Sequence, residues 1–220
     1  MRISYYAATF LIRNLARLIF RLKIIGKENI PPGGPFILAC NHISYYDPPL
    51  IGSSFKREIH FLAKKELFRN RIFGGLIRHF NAHPINRNGI DKSAIETVSK
   101  VLNSGQAIMI FPEGTRARGV EFLSPRPGIG MIALNNKVPV IPAYINGAND
   151  LLGSFIGRNR LGVIFGPPMN QSELGAYAKD KDGYRKFAED SMGRIRMLKE
   201  EFNQKAVLSK KMKKSDLSSR

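Results

Sequence analysis

The stretch from Phe36 to Pro49 reads FILACNHISYYDPP. Its first five residues form an apolar run without a polar break, short for a helix and suited to a strand buried on both faces. The run stops at Asn41 and His42, and Asp47 follows beside Pro48 and Pro49. Polar side chains just past the carboxyl end of such a strand stand where open α/β sheets bind ligands. A second apolar run, AIMIF at 107–111, leads in the same way into PEGTRARG. If the two strands are parallel neighbours, His42, Asp47, Glu113 and Arg116 converge on one rim.

Three more runs read as strands: IHFLA at 59–63, VPVIPAYI at 138–145 and LGVIF at 161–165. Between the strands, Asp91 can cap a helix whose Ile95, Val98 and Leu102 share a face, and Gly105 stops it. Another helix is expected after Pro127, and a longer one carries Tyr184, Phe187, Ile195, Leu198 and Phe202 at helical spacing, with Ser191 interrupting the stripe. Strands alternating with helices predict an α/β domain around a central, largely buried sheet. The chain of 220 residues suits one core. We place an N-terminal amphipathic helix at 1–23, a single domain at 24–204 and a basic tail at 205–220.

The net charge of +18 predicts a polyanionic partner. Residues 1–30 and 205–220 each hold six Lys or Arg against one acid, so both ends are strongly basic. A single cysteine excludes an intrachain disulfide and fits a reducing compartment. The N-terminal apolar stretch is cut by Arg13, Arg17 and Arg21, short of the roughly 20 apolar residues that cross a bilayer. On a helix those arginines form one row, with Leu11, Leu15, Leu18, Ile19 and Leu22 on the other side. The expectation is an interfacial helix with arginines toward lipid phosphate, at the cytoplasmic face of a membrane and peripheral to it. The alternative is a helix packed on the domain with a solvated basic face.

A histidine next to a carboxylate is a minimal general base: the imidazole takes a proton, and the carboxylate fixes its tautomer and stabilises the imidazolium. Asp47 also has a structural reading, since Ser44-x-x-Asp47 has the form of a capping box. In the second loop, Gly114 permits close backbone approach, Arg116 offers a planar fork for phosphate and Glu113 can accept from a hydroxyl. Cys40 is a weaker nucleophile candidate, lying in an apolar strand where a free thiol is usually just buried. His79 and His83 lack an evident third ligand, so no metal site is expected. Gly33-Gly34 precedes a strand and reads as a turn.

These residues carry a resemblance. Asn41-His42-x-x-x-x-Asp47 followed by Phe111-Pro112-Glu113-Gly114-Thr115-Arg116 resembles the hallmark of the 1-acylglycerol-3-phosphate acyltransferase family. PINRNGIDKSAI is similar to the family's third block, RPGIGMIAL to its Lys-x-Gly segment and VPVIPAYING to its last, so the similarity runs from about Ile24 to Pro168. The resemblance implies a mostly parallel mixed sheet flanked by helices. It also implies transfer of a fatty acyl group from coenzyme A or acyl carrier protein to the hydroxyl of lysophosphatidic acid, with no cofactor beyond that cosubstrate. By the same likeness His42 is the base and Asp47 its partner. Arg87, Glu113, Gly114, Thr115, Arg116 and Arg126 bind substrate, Arg87 and Arg116 holding the phosphate and Glu113 positioning the glycerol. Arg126 stands where lysine is usual, which keeps the charge, and the N-terminal segment is short for the family.

Within enzymes the rival expectation is a relative acylating another lyso-lipid, such as a lyso-ornithine lipid or a lysophospholipid. From another class, a noncatalytic basic protein binding membranes or nucleic acid makes no use of NHISYYD or FPEGTR. No nucleic-acid module accompanies the basic runs, so nucleic acid is not an expected partner.

Overall fold

The structure, a computed structural model, describes residues 2–86, 92–119 and 121–218, with side chains as far as Lys205, Lys92 excepted. Among the described residues seven strands form one sheet: β1 (Lys23–Ile25), β2 (Phe36–Cys40), β3 (Ile59–Lys64), β4 (Ala82–Ile85), β5 (Ala107–Ile110), β6 (Val140–Asn146) and β7 (Gly162–Phe165). Their spatial order is β1-β7-β6-β2-β5-β3-β4. All neighbours run parallel except β6 and β7. This is the mostly parallel mixed sheet that the resemblance implied.

FILAC is β2, flanked by β5 and β6, and every one of its residues is fully buried. The period of two sorts them between two cores. Phe36, Leu38 and Cys40 face the layer of α1 (Ile3–Phe20) and α2 (Asp47–Ser53). Ile37 and Ala39 face α4 (Lys92–Asn103), α5 (Gly128–Asn136) and α8 (Lys181–Ser218). α3 (Arg71–His79) links β3 to β4, while α6 (Leu151–Phe155) and α7 (Gln171–Leu174) flank β7 in the chain. Strands β2 and β5 pair from Phe36↔Ala107 to Ala39↔Ile110, so they end level and deliver their two loops side by side. That register is the condition on which the rim depended.

The expected helices form around their apolar stripes. Val98 and Leu102 are buried on α4, and Gly105, at φ 77°, turns the chain out of that helix. Asp91, its expected cap, lies outside the described residues. Phe187, Ile195, Leu198 and Phe202 are buried on α8, whereas Tyr184 is half-buried. Buried Ser191 sits in the stripe without a hydrogen bond for its hydroxyl. The α8 backbone continues through Ser218, so the basic segment from Lys205 carries on as helix.

α1 turns most of both expected rows outward. Tyr5 and Ala16 face the body, and Arg13 is half-buried with its Nε enclosed. Arg17 and, at the helix end, Arg21 are exposed, and so is the apolar side, with Ile3, Phe10, Leu11, Leu15, Leu18 and Ile19 on it. Leu22, expected on that side, is buried beyond the helix end. The reason is shape: Tyr5 and Ala16 lie on the side that meets α2, and the Tyr5 hydroxyl accepts from the Ile59 amide at 3.2 Å, which fixes the helix's rotation.

Candidate active site

β2 ends at Cys40, and the Asn41 side chain adds one more rung to the sheet. Its amide donates to the Ile145 carbonyl at 3.0 Å and accepts from the Ile145 N–H at 2.8 Å. A side chain that imitates a backbone partner on both its atoms explains why asparagine stands at the point where the chain leaves the strand. His42 is thereby set directly on the sheet's rim.

The backbone of His42 is gripped by the neighbouring loop on both of its polar groups. Its N–H donates to Glu113 Oε1 at 3.0 Å, and its carbonyl accepts from the Ala117 N–H at 2.8 Å. The imidazole lies flat on Phe111, ring centroids 3.9 Å apart and planes 14° from parallel. Its Nδ1 is 2.7 Å from Asp47 Oδ2. A carboxylate can only accept, so Nδ1 carries a proton, and in the neutral ring Nε2 keeps the lone pair.

Asp47 is fully buried at the start of α2, where Pro48 and Pro49 occupy positions whose missing N–H groups leave no bond unmade. Its Oδ2 also accepts from the amides of Ile43 at 2.7 Å and Ser44 at 2.8 Å, while Oδ1 is buried without a partner. The bond to Ser44 N–H is one half of the capping box. The other half is replaced, because Ser44 Oγ accepts from Tyr46 N–H at 3.2 Å. The structural and chemical readings of this aspartate therefore coexist in one oxygen.

In the second loop, Gly114 has φ 69°, and a Cβ there would come within 2.8 Å of the Arg126 side chain. Arg126 thus lies across Gly114, and its N–H donates to the Pro112 carbonyl at 2.8 Å. The Arg116 guanidinium carbon sits 3.6 Å above the centre of the Tyr45 ring. Exposed Thr115 completes the loop.

A family model described as Acyltransferase matches residues 21–146. The chain belongs to the Acyltransferase family. It is 31% identical over 184 residues to a 1-acyl-sn-glycerol-3-phosphate acyltransferase of Bacillus subtilis, covering 83% of this chain and 90% of that one. A protein of the same name from Streptococcus pneumoniae is 36% identical over 141 residues, 63% of this chain and 52% of its own length. The crystal structure of the LPA acyltransferase PlsC from Thermotoga maritima superposes with a TM-score of 0.66 at 27% identity, covering 90% of this chain and 84% of that one.

The structure brings together His42, Asp47, Glu113, Gly114, Thr115, Arg116 and Arg126; Arg87 lies outside the described residues. It changes the reading of one of them. Glu113 is buried and gives each carboxylate oxygen to a backbone amide, Oε1 to His42 and Oε2 to Leu123 at 2.8 Å. For an acyltransferase site its geometry is that of a brace between loops, where an open contact to glycerol was expected. His79 bonds Ser4 and His83 bonds His60, so they serve separate contacts. Sequence reasoning did not single out Phe111 or Tyr45 for the site. Phe111 ends the apolar run of β5 and packs against the core as well as His42, which masked its part in the site, whereas exposed Tyr45 is an aromatic residue inside a polar loop that no core packing explains.

Cys40 Sγ is fully buried and donates toward Asn41 Oδ1. Burial, reinforced by nearby Asp47 and Glu113, pushes its thiol well above the ordinary range. A thiol held neutral is a poor nucleophile. Iodoacetamide at pH 8 is expected to leave Cys40 unmodified in the folded protein and to alkylate it after denaturation, as read by intact mass; labelling of the native protein at the rate of a free thiol would contradict the assignment.

Proposed function

We propose that the protein is a 1-acyl-sn-glycerol-3-phosphate acyltransferase, moving a fatty acyl group from an acyl thioester, on coenzyme A or acyl carrier protein, to the sn-2 hydroxyl of lysophosphatidic acid. The observation that carries this reading is the 2.7 Å contact between His42 Nδ1 and the buried Asp47 carboxylate, on the same rim as the FPEGTR loop. His42 Nε2 takes the acceptor hydroxyl's proton as the oxygen attacks the thioester carbonyl. The tetrahedral intermediate collapses, the C–S bond breaks, and the departing sulfur receives the proton from the imidazolium. Phosphatidic acid and a free thiol result, with no change of oxidation state. Asp47 stabilises the transient imidazolium. Arg116, on the Tyr45 ring, and Arg126, across Gly114, are the cations of this loop offered to the acceptor phosphate.

The lipid acceptor also gives the outward face of α1 a use. No helix among the described residues is long and apolar enough to cross a membrane. Ile3, Leu11 and Leu18 are nonetheless exposed on α1, and Ile72, Phe73 and Leu76 on α3. The two helices touch where Ser4 Oγ and His79 Nε2 are hydrogen-bonded at 3.0 Å. Exposed Arg69 and Arg71 stand at the start of α3. Apolar side chains among cations suit the interface of an anionic membrane, with the protein peripheral on its cytoplasmic face.

His42→Ala is expected to lower transfer by about 10² to 10⁴, the worth of general base catalysis. Arg116→Ala should reduce efficiency with lysophosphatidic acid about 10- to 100-fold, the loss of a charge-assisted contact, and much less with an acceptor lacking phosphate. Near-normal turnover by His42→Ala would overturn the mechanism, and equal losses for both acceptors would remove Arg116 from the phosphate.

Leu11→Asp with Leu18→Asp is expected to abolish sedimentation with phosphatidylglycerol vesicles while circular dichroism stays unchanged. Undiminished binding by the folded double variant would move membrane attachment elsewhere.

A further inference from the structure

The two loops of the site exchange aromatic surfaces. Phe111, from the second loop, carries the His42 ring of the first. Tyr45, from the first, carries the Arg116 guanidinium of the second at 3.6 Å. The first stack lies within the two motifs themselves. The second involves a residue to which neither motif assigns a role.

We infer that Tyr45 is a positioning residue that fixes Arg116 for the acceptor's phosphate and so sets the enzyme's selectivity for phosphorylated acceptors. This rests on the proposed function. The backbone on both sides of Tyr45 is tied down. On one side of it, Ile43 and Ser44 donate their amides to Asp47; on the other, the Tyr46 amide donates to Ser44 Oγ. The backbone at the arginine is tied as well, because the next residue, Ala117, donates to the His42 carbonyl. Tyr45 is 66% exposed, so no core packing accounts for the place of its ring. Among the described residues no carboxylate pairs with Arg116. A guanidinium whose carbon comes within 3.6 Å of a ring centre lies close to parallel with it, since an edge-on approach would drive a nitrogen into the ring; the ring's quadrupole then holds it, while its N–H groups, directed outward in its plane, remain available to an anion. A carboxylate could have held the arginine too, but it would have neutralised the charge that the phosphate needs. The aromatic ring positions without competing.

The test is steady-state kinetics of Tyr45→Ala and Tyr45→Phe with lysophosphatidic acid and with monoacylglycerol, each also in an Arg116→Ala background. Tyr45→Ala is expected to raise the KM for lysophosphatidic acid about three- to tenfold, the worth of a partly exposed cation–π contact. The KM for the donor and the turnover with monoacylglycerol should stay within about twofold of the parent, since the stack serves only the phosphate's arginine. Tyr45→Phe should behave as the parent, because the face does the holding. Without Arg116, Tyr45→Ala should add nothing. The inference is overturned if Tyr45→Phe loses as much as Tyr45→Ala, if both acceptors suffer alike from Tyr45→Ala, or if the losses at Tyr45 and Arg116 are independent. Failure of the phosphate reading is separable: Arg116→Ala would then weaken both acceptors equally, whereas non-additivity between Tyr45 and Arg116 would still report their contact.

Discussion

One carboxylate oxygen, Oδ2 of Asp47, accepts three hydrogen bonds, from the His42 ring and from the amides of Ile43 and Ser44. These bonds close the tight turn that follows β2, orient the imidazole and start α2 at the same time. Full burial makes the carboxylate dependent on them, because a desolvated charge without partners is expensive. The turn and the histidine's tautomer are therefore one property. Substitution of the aspartate disturbs the chemistry through the backbone as well as through the charge.

The second constraint is the level ending of β2 and β5. Parallel pairing brings Ala39 opposite Ile110, so His42 and Glu113 emerge close enough for a carboxylate on one loop to bond an amide on the other. Glu113 and Ala117 then lock the loops together through His42's own backbone. Preorganisation of this kind keeps reactive groups in place before a substrate arrives. The Phe111 and Tyr45 stacks work in the same direction, each tying a functional side chain of one loop to the other.

Much of this was legible because the central strands are buried on both faces and announce themselves as apolar runs. The two strands that escaped notice, Lys23–Ile25 and Ala82–Ile85, are the edges of the sheet. Both are short and half-exposed, and His83 and Pro84 break up the apolar run by which a strand is recognised in the second. The pairing of His42 with Asp47 followed from their spacing. The bracing of Glu113 did not, since nothing in FPEGTR tells whether its carboxylate points to solvent or back into the chain. The seating of α1 was equally hidden: the leucine and arginine rows stood out, but nothing in them told that Tyr5 and Ala16 are the residues turned to the body.

The central claim is that Asp47 holds His42 in the Nδ1–H tautomer, leaving Nε2 to act as base. Two-bond ¹H–¹⁵N correlation of the protein labelled in its histidines, with His42 assigned by its absence in His42→Ala, reads this directly. The expected spectrum at a pH where the ring is neutral shows a protonated Nδ1 and an unprotonated Nε2, and this pattern should be lost in Asp47→Asn. A neutral His42 protonated on Nε2, or a tautomer mixture indifferent to Asp47, would contradict the account.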